Sequence, residues 1–177
     1  MNRILSITTL GLALIGAGIA TSADAASRRV VHPNAEGGTT ATAITARSGP
    51  NGGAAVRGRG VATDGQGNAT AVSGAALRGP NGATAARAGA TTRTADGAVQ
   101  HRSGMAAQGA QGSVDSSGSA TKTADGQITQ NRTTSATSAA TGNSATRTSA
   151  YNSGSGRTRS TTCFDAGGAT IACPTRP

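Results

Sequence analysis

The chain contains no tryptophan, and one tyrosine and one phenylalanine are its only aromatic residues among 177. Hydrophobic residues make up 35%, much of it alanine. Ordering a backbone costs roughly 1–2 kcal/mol per residue, so a chain with so little bulky apolar surface is not expected to build a globular core. The missing aromatics also leave no platform for stacking bases, which argues against specific nucleic-acid recognition. Histidine is nearly absent: His32 and His101 stand far apart, without the further ligands that a metal site needs. Acidic residues are few, 7 against 16 Lys and Arg, for a net charge of +9. Asp64, Asp96 and Asp125 occupy turn positions where Asp is favoured for its backbone geometry. They do not read as a pair of catalytic carboxylates. Glycine-rich stretches such as Gly65-Gln66-Gly67 lack the following helix and lysine of a phosphate loop. No enzyme and no cofactor are expected.

The long hydrophobic run that the chain does have is at its start. Asn2 and Arg3 form a short basic beginning, residues 4–20 are apolar, and Ala23-Asp24-Ala25 is a small-x-small cleavage site. This pattern predicts a secretory signal peptide over residues 1–25. Cleavage would remove Arg3 and Asp24 and leave the net charge unchanged. No later stretch is apolar and long enough to span a bilayer as a helix, so no transmembrane segment is expected after cleavage. An exported location follows: periplasm, cell surface or extracellular space.

Glycine, by contrast, is abundant and regularly placed. Gly52, Gly67, Gly82, Gly97 and Gly112 stand fifteen residues apart, preceded by Asn51, Gln66, Asn81, Asp96 and Gln111. The register then slips to Asp125-Gly126 and returns at Thr141-Gly142. A second glycine falls near the middle of most units, at Gly60, Gly74, Gly89, Gly104 and Gly118. Turns are therefore expected every seven or eight residues, with two-residue hairpin turns at Asn51-Gly52, Asn81-Gly82, Asp96-Gly97 and Asp125-Gly126. Arg57, Arg87, Arg102, Arg132 and Arg147 share one position of the fifteen-residue frame.

The expected fold is an all-β repeat, an antiparallel meander of short strands with about fifteen residues per hairpin unit. A β-solenoid is second choice, because it would stack those arginines about 4.8 Å apart and like charges directly opposite are destabilising. Low hydrophobicity, net charge and abundant Gly, Ser and Thr also fit a largely disordered chain, so at this level order and disorder both stand. The expected organisation is a signal peptide (1–25), a flexible leader (26–46), a repeat array (47–151) and a C-terminal tail (152–177). In that tail Cys163 and Cys173, the only cysteines, flank the turn signal Asp165-Ala166-Gly167-Gly168. An even cysteine count in an exported chain predicts a disulfide, and closing so short a loop contributes about 2–3 kcal/mol.

In design the array resembles uncharacterised exported Gly-turn β-repeat proteins of Gram-negative bacteria, whose "GPNG" and "DG" turns alternate with Thr- and Arg-bearing strands. Gln66-Gly67-Asn68 and Gly142-Asn143-Ser144-Ala145 also look like fragments of the curlin fibre-subunit pattern. The fifteen-residue repeat is shorter than the curlin one and lacks its glutamine ladder. Neither resemblance transfers a mechanism; from the exposed strand edges of a single sheet, the expected function is an exported structural, surface or extracellular-matrix protein that self-assembles or adheres. The alternative is a disordered Arg-rich module binding acidic polysaccharide, lipopolysaccharide or extracellular DNA through the arginine column. The expected partners are thus a second copy of the chain, an anionic polysaccharide or another envelope component.

Overall fold

A computed structural model describes residues 25–174. The basic start and apolar run of the expected signal peptide lie outside these residues. Eleven strands form one sheet. They are β1 (Ala25–Pro33), β2 (Thr39–Ser48), β3 (Ala54–Thr63), β4 (Ala69–Arg78), β5 (Thr84–Arg93) and β6 (Val99–Gly109). β7 (Gly112–Lys122), β8 (Ile128–Ser138), β9 (Ser144–Asn152), β10 (Gly156–Phe164) and the short β11 (Thr170–Ile171) follow. Spatial order equals chain order, and every neighbouring pair is antiparallel. The fold is therefore the all-β antiparallel meander, not a solenoid and not a disordered chain. Among the described residues no helix is long and apolar enough to cross a membrane.

The fifteen-residue unit is one strand plus one turn, so a hairpin takes about thirty residues rather than the fifteen read from the sequence. The mid-unit glycines are not turns. Gly60, Gly74, Gly89, Gly104 and Gly118 all lie inside strands, and none has positive φ. The turn glycines differ: Gly52, Gly82, Gly97 and Gly126 have φ between 76° and 91°. Most connections are five residues long, closed by a bond such as Gly82 N–H to Gly79 C=O (3.2 Å) with the glycine in the left-handed region. Among the described residues no non-glycine residue has positive φ, so Asn51, Asn81, Asp96 and Asp125 do not adopt the two-residue turn expected of Asn-Gly and Asp-Gly. The one two-residue connection is Ala110-Gln111, between β6 and β7.

Residues 26–46, expected as a flexible leader, belong to β1 and β2. Gly37 (φ 74°) stands fifteen residues before Gly52 and closes the first turn, so the frame begins one unit earlier than the sequence reading placed it. The tail likewise continues the sheet, because residues 156–164 form β10. The Cys163–Cys173 disulfide, with Cα atoms 5.2 Å apart, ties the chain after β11 back to β10.

Among the described residues there is no second layer. Their strands pair only with sequence neighbours, and Gly60, Ser116 and Cys163 are the only buried residues among them. At each end of the sheet the turns bond to the next turn on that side. Asn34 donates to the Thr63 carbonyl (2.7 Å), Ala95 N–H donates to Asn68 Oδ1 (2.9 Å), and Ala139 N–H donates to the Gln111 carbonyl (3.0 Å). These contacts join strands two apart and supply ordering that the absent core does not.

Candidate functional site: the basic face

Alternate residues of a strand point to opposite faces, and directly paired residues share a face. The pairing registers therefore assign every strand residue to a side. Arg57 pairs with Ala75, Ala75 with Arg87, and Arg87 with Met105. The row continues through Ser116 and Thr134 to Arg147. Arg57, Arg87 and Arg147 thus lie in one line. The next row, on the same face, carries Arg29, Arg59, Arg132 and Arg159. Arg47, Arg93, Lys122 and Arg157 complete this face. Eleven of the 14 described cations are on it, and the other side has only Arg28, Arg78 and Arg102. All 14 are exposed.

The acidic residues keep off this face. Glu36, Asp64, Asp96, Asp125 and Asp165 lie in the connections, and Asp115, in β7, points to the other side. In the turns Asp64, Asp96 and Asp165 accept from backbone N–H groups of their own connection. Asn68 and the Gln66 N–H donate to Asp64 and hold its carboxyl below the ordinary value, and the Thr94 hydroxyl with the Ala98 N–H does the same for Asp96.

The cations are also spaced. None pairs directly with another: Arg57 and Arg87 both face Ala75, Arg59 faces Ala43 and Ser73, and Arg132 faces Gly118 and Ser149. Along a row the nearest cations are two strands apart, about 9.6 Å at the usual strand spacing. That is close to the screening length of about 10 Å at 0.1 M salt, while along a strand Arg57 and Arg59, and Arg157 and Arg159, stand two residues apart on this face, about 6.6 Å.

One cation is fixed in place. Arg132 donates to Ser116 Oγ (2.9 Å) and to Ser103 Oγ (3.0 Å), lying across β7 at Gly118. A Cβ at Gly118 would stand 3.3 Å from the guanidinium carbon, so glycine is what lets the side chain lie flat. Ser116, 8% exposed, also bonds Thr134 Oγ1 (2.8 Å). Beside Arg132 a shallow hollow of about 310 Å3 is lined by His101, Gln130, Tyr151 and Arg157. His101 is held by Thr91 Oγ1 at 2.8 Å from Nδ1. The hollow thus combines two guanidiniums with donors and acceptors suited to a carboxylate or sulfate and its neighbouring hydroxyls.

Of the five arginines singled out in the sequence, Arg57, Arg87, Arg132 and Arg147 share the basic face and Arg102 does not. The reason is parity. A residue fifteen further on sits in the next strand on the opposite face, whereas one thirty further on returns to the same row. Arg102 is fifteen from Arg87 and so turns away. Arg132 should have joined it, but the two-residue connection at Ala110-Gln111 shortens the step from β6 to β8 to 29 residues and flips the alternation. Arg29, Arg47, Arg59, Arg93, Lys122, Arg157 and Arg159 were missed. Residue parity within each strand would have found them once strand limits were known.

No protein-family model, curated protein or solved structure matches the chain.

Proposed function

We propose that the protein is an exported structural component of the cell surface or extracellular matrix that holds acidic polysaccharide against its basic face. The observation that carries this reading is the segregation of 11 cations to one side of a sheet with no acidic residue among them. A flat array with charges about 7–10 Å apart suits a repeating anionic polymer better than a compact ligand. Arginine adds bidentate recognition of carboxylate. Export is supported by the signal-like N-terminus and by a disulfide, which persists in oxidising compartments.

The test is titration of the mature, oxidised chain with polygalacturonate and with neutral dextran. Binding should be confined to the acidic polymer and should weaken steeply with salt. Replacing Arg57, Arg87 and Arg147 by Gln removes three exposed contacts and should weaken binding roughly tenfold. The matched triple of Arg28, Arg78 and Arg102 should bind as the parent does. Equal loss in both triples, or indifference to salt, would overturn the assignment.

A further inference from the structure

We infer that two copies of the chain pack face to face through the side of the sheet opposite the basic one, about a two-fold axis running across the strands. An open single layer with both faces wet is marginal in water, and this one buries almost nothing. The basic face cannot close on itself, because it would oppose 11 cations to 11. The other face carries three cations, Asp115 and His32, and is otherwise Ala, Gly, Val, Ser, Thr, Asn, Gln, Ile44 and Phe164.

The registers place the axis. Gly58, Gly74, Ala88, Gly104 and Ser117 form one line across β3–β7. A groove of about 730 Å3 runs between this line and the neighbouring row that carries Gly60, Val72, Ala90 and Arg102. A two-fold along this line sets each strand over its own copy and exchanges the rows on either side. Val56 then falls over the partner copy's Gly60, and Val72 over its Ala76, so large residues oppose small ones. The space over Gly60 is flanked by Val72 Cγ2 and Thr42 Cγ2, which a Cβ there would meet at 3.3 and 3.6 Å, so the incoming Val56 rests on these two side chains. Arg102 falls over the second copy's Ala106, whose direct cross-strand neighbour is Asp115. Two Arg102–Asp115 pairs form by symmetry. Among the described residues neither side chain has a partner within the monomer, so the dimer would satisfy the one acid and the one central cation on this face. Arg28 lies on the axis opposite the second copy's Arg28, but at the outermost strand, where the two side chains diverge past the sheet edge into solvent.

Area supports the same stoichiometry. Ten strands at about 4.8 Å and ten residues at about 3.3 Å give roughly 1,600 Å2 per copy. A stable interface needs about 800 Å2 per partner. Stacking by faces is also more favourable here than growth by edges. β1 carries Arg28, Arg29 and Pro33, and β10 carries Arg157 and Arg159 and is partly covered by β11 and its disulfide, the features that blunt sheet edges.

Sedimentation equilibrium of the mature, oxidised chain over a concentration series tests this. The parent should be a dimer. Asp115→Arg should weaken dimerisation at least tenfold, and the double charge swap Arg102→Asp with Asp115→Arg should restore it. Gly58→Trp provides a second check. Gly58 is extended and a Cβ there meets nothing within 4 Å, so the monomer accommodates the ring while the interface does not. This variant should be monomeric with a strand-type circular dichroism spectrum. A parent that stays monomeric, or a Gly58→Trp variant that dimerises like the parent, overturns the inference. So does a lattice that grows without limit. Gln replacement of Arg57, Arg87 and Arg147 should leave the dimer intact, which separates this result from that of polymer binding.

Discussion

Replacing single glycines by alanine separates the two roles that glycine plays in this chain, because the sign of the effect should differ between them. Gly82 sits in a turn with φ 76° and no atom near its absent Cβ. Alanine there incurs only the left-handed conformational cost, about 1–2 kcal/mol. Reduced freedom of the unfolded chain offsets about 0.4–1 kcal/mol of that. The net expectation is destabilisation by about 0.5–1 kcal/mol. Gly89 is extended in β5, and a Cβ would meet the Arg102 carbonyl, His101 and Ser73 at 3.5–3.7 Å, ordinary contact distances. Alanine at 89 should stabilise by about 0.5–1 kcal/mol. At Gly112 (φ 141°) a Cβ would collide with the Thr137 carbonyl. Strain and overpacking together should cost about 2–4 kcal/mol. Urea unfolding at one fixed protein concentration, followed by circular dichroism, ranks the three variants by midpoint. If Gly89→Ala were as damaging as Gly82→Ala, residue 89 would lie in a turn. One strand per fifteen residues would then be wrong.

Two further outcomes follow from local geometry. Thr94→Val removes the hydroxyl that donates to Asp96, so the Asp96 carboxyl should titrate closer to its ordinary value by NMR. Because the folded value is depressed, the stability this group contributes is present above its unfolded pKa and disappears as pH falls through the folded one; an unchanged titration in the variant would refute the assigned cause. Reducing the Cys163–Cys173 bridge releases a loop closure worth about 3 kcal/mol. Since the described strands pair only with their neighbours, amide exchange should accelerate in β10 and β11 and stay unchanged in β2–β6. Uniform acceleration would show that the sheet unfolds as one unit.

The meander and the turn glycines were legible in the sequence because left-handed backbone selects glycine so strongly. Strand length was not, because a glycine in the middle of a strand and one in a turn are the same letter. Gly89 and Gly97 differ only in φ, and φ is set by the pairing on either side. The first unit was overlooked because Glu36-Gly37-Gly38 has no Asn-Gly or Asp-Gly dipeptide, although Gly37 keeps the frame. The arginine column was visible as a spacing, but which face each member takes depends on the residue count through the connection before it. A two-residue connection marked by Ala110-Gln111, with neither Asn nor Gly inside it, gives no local signal, and it decides where Arg132 points. The chemistry of the basic face was therefore half readable: its residue type was evident, its membership was not.

The alternation of faces between successive fifteen-residue units limits how such a chain can lengthen. Duplicating one unit would add a strand and invert every side chain downstream, placing part of the arginine array among the neutral residues. Duplicating two adds a complete hairpin and leaves both surfaces continuous. The recurrence of Gly49-Pro50-Asn51-Gly52 at Gly79-Pro80-Asn81-Gly82 is a step of that permitted size. A longer or shorter version of this protein that keeps its surfaces should differ from it by an even number of strands, unless a shortened connection like the one after β6 resets the phase.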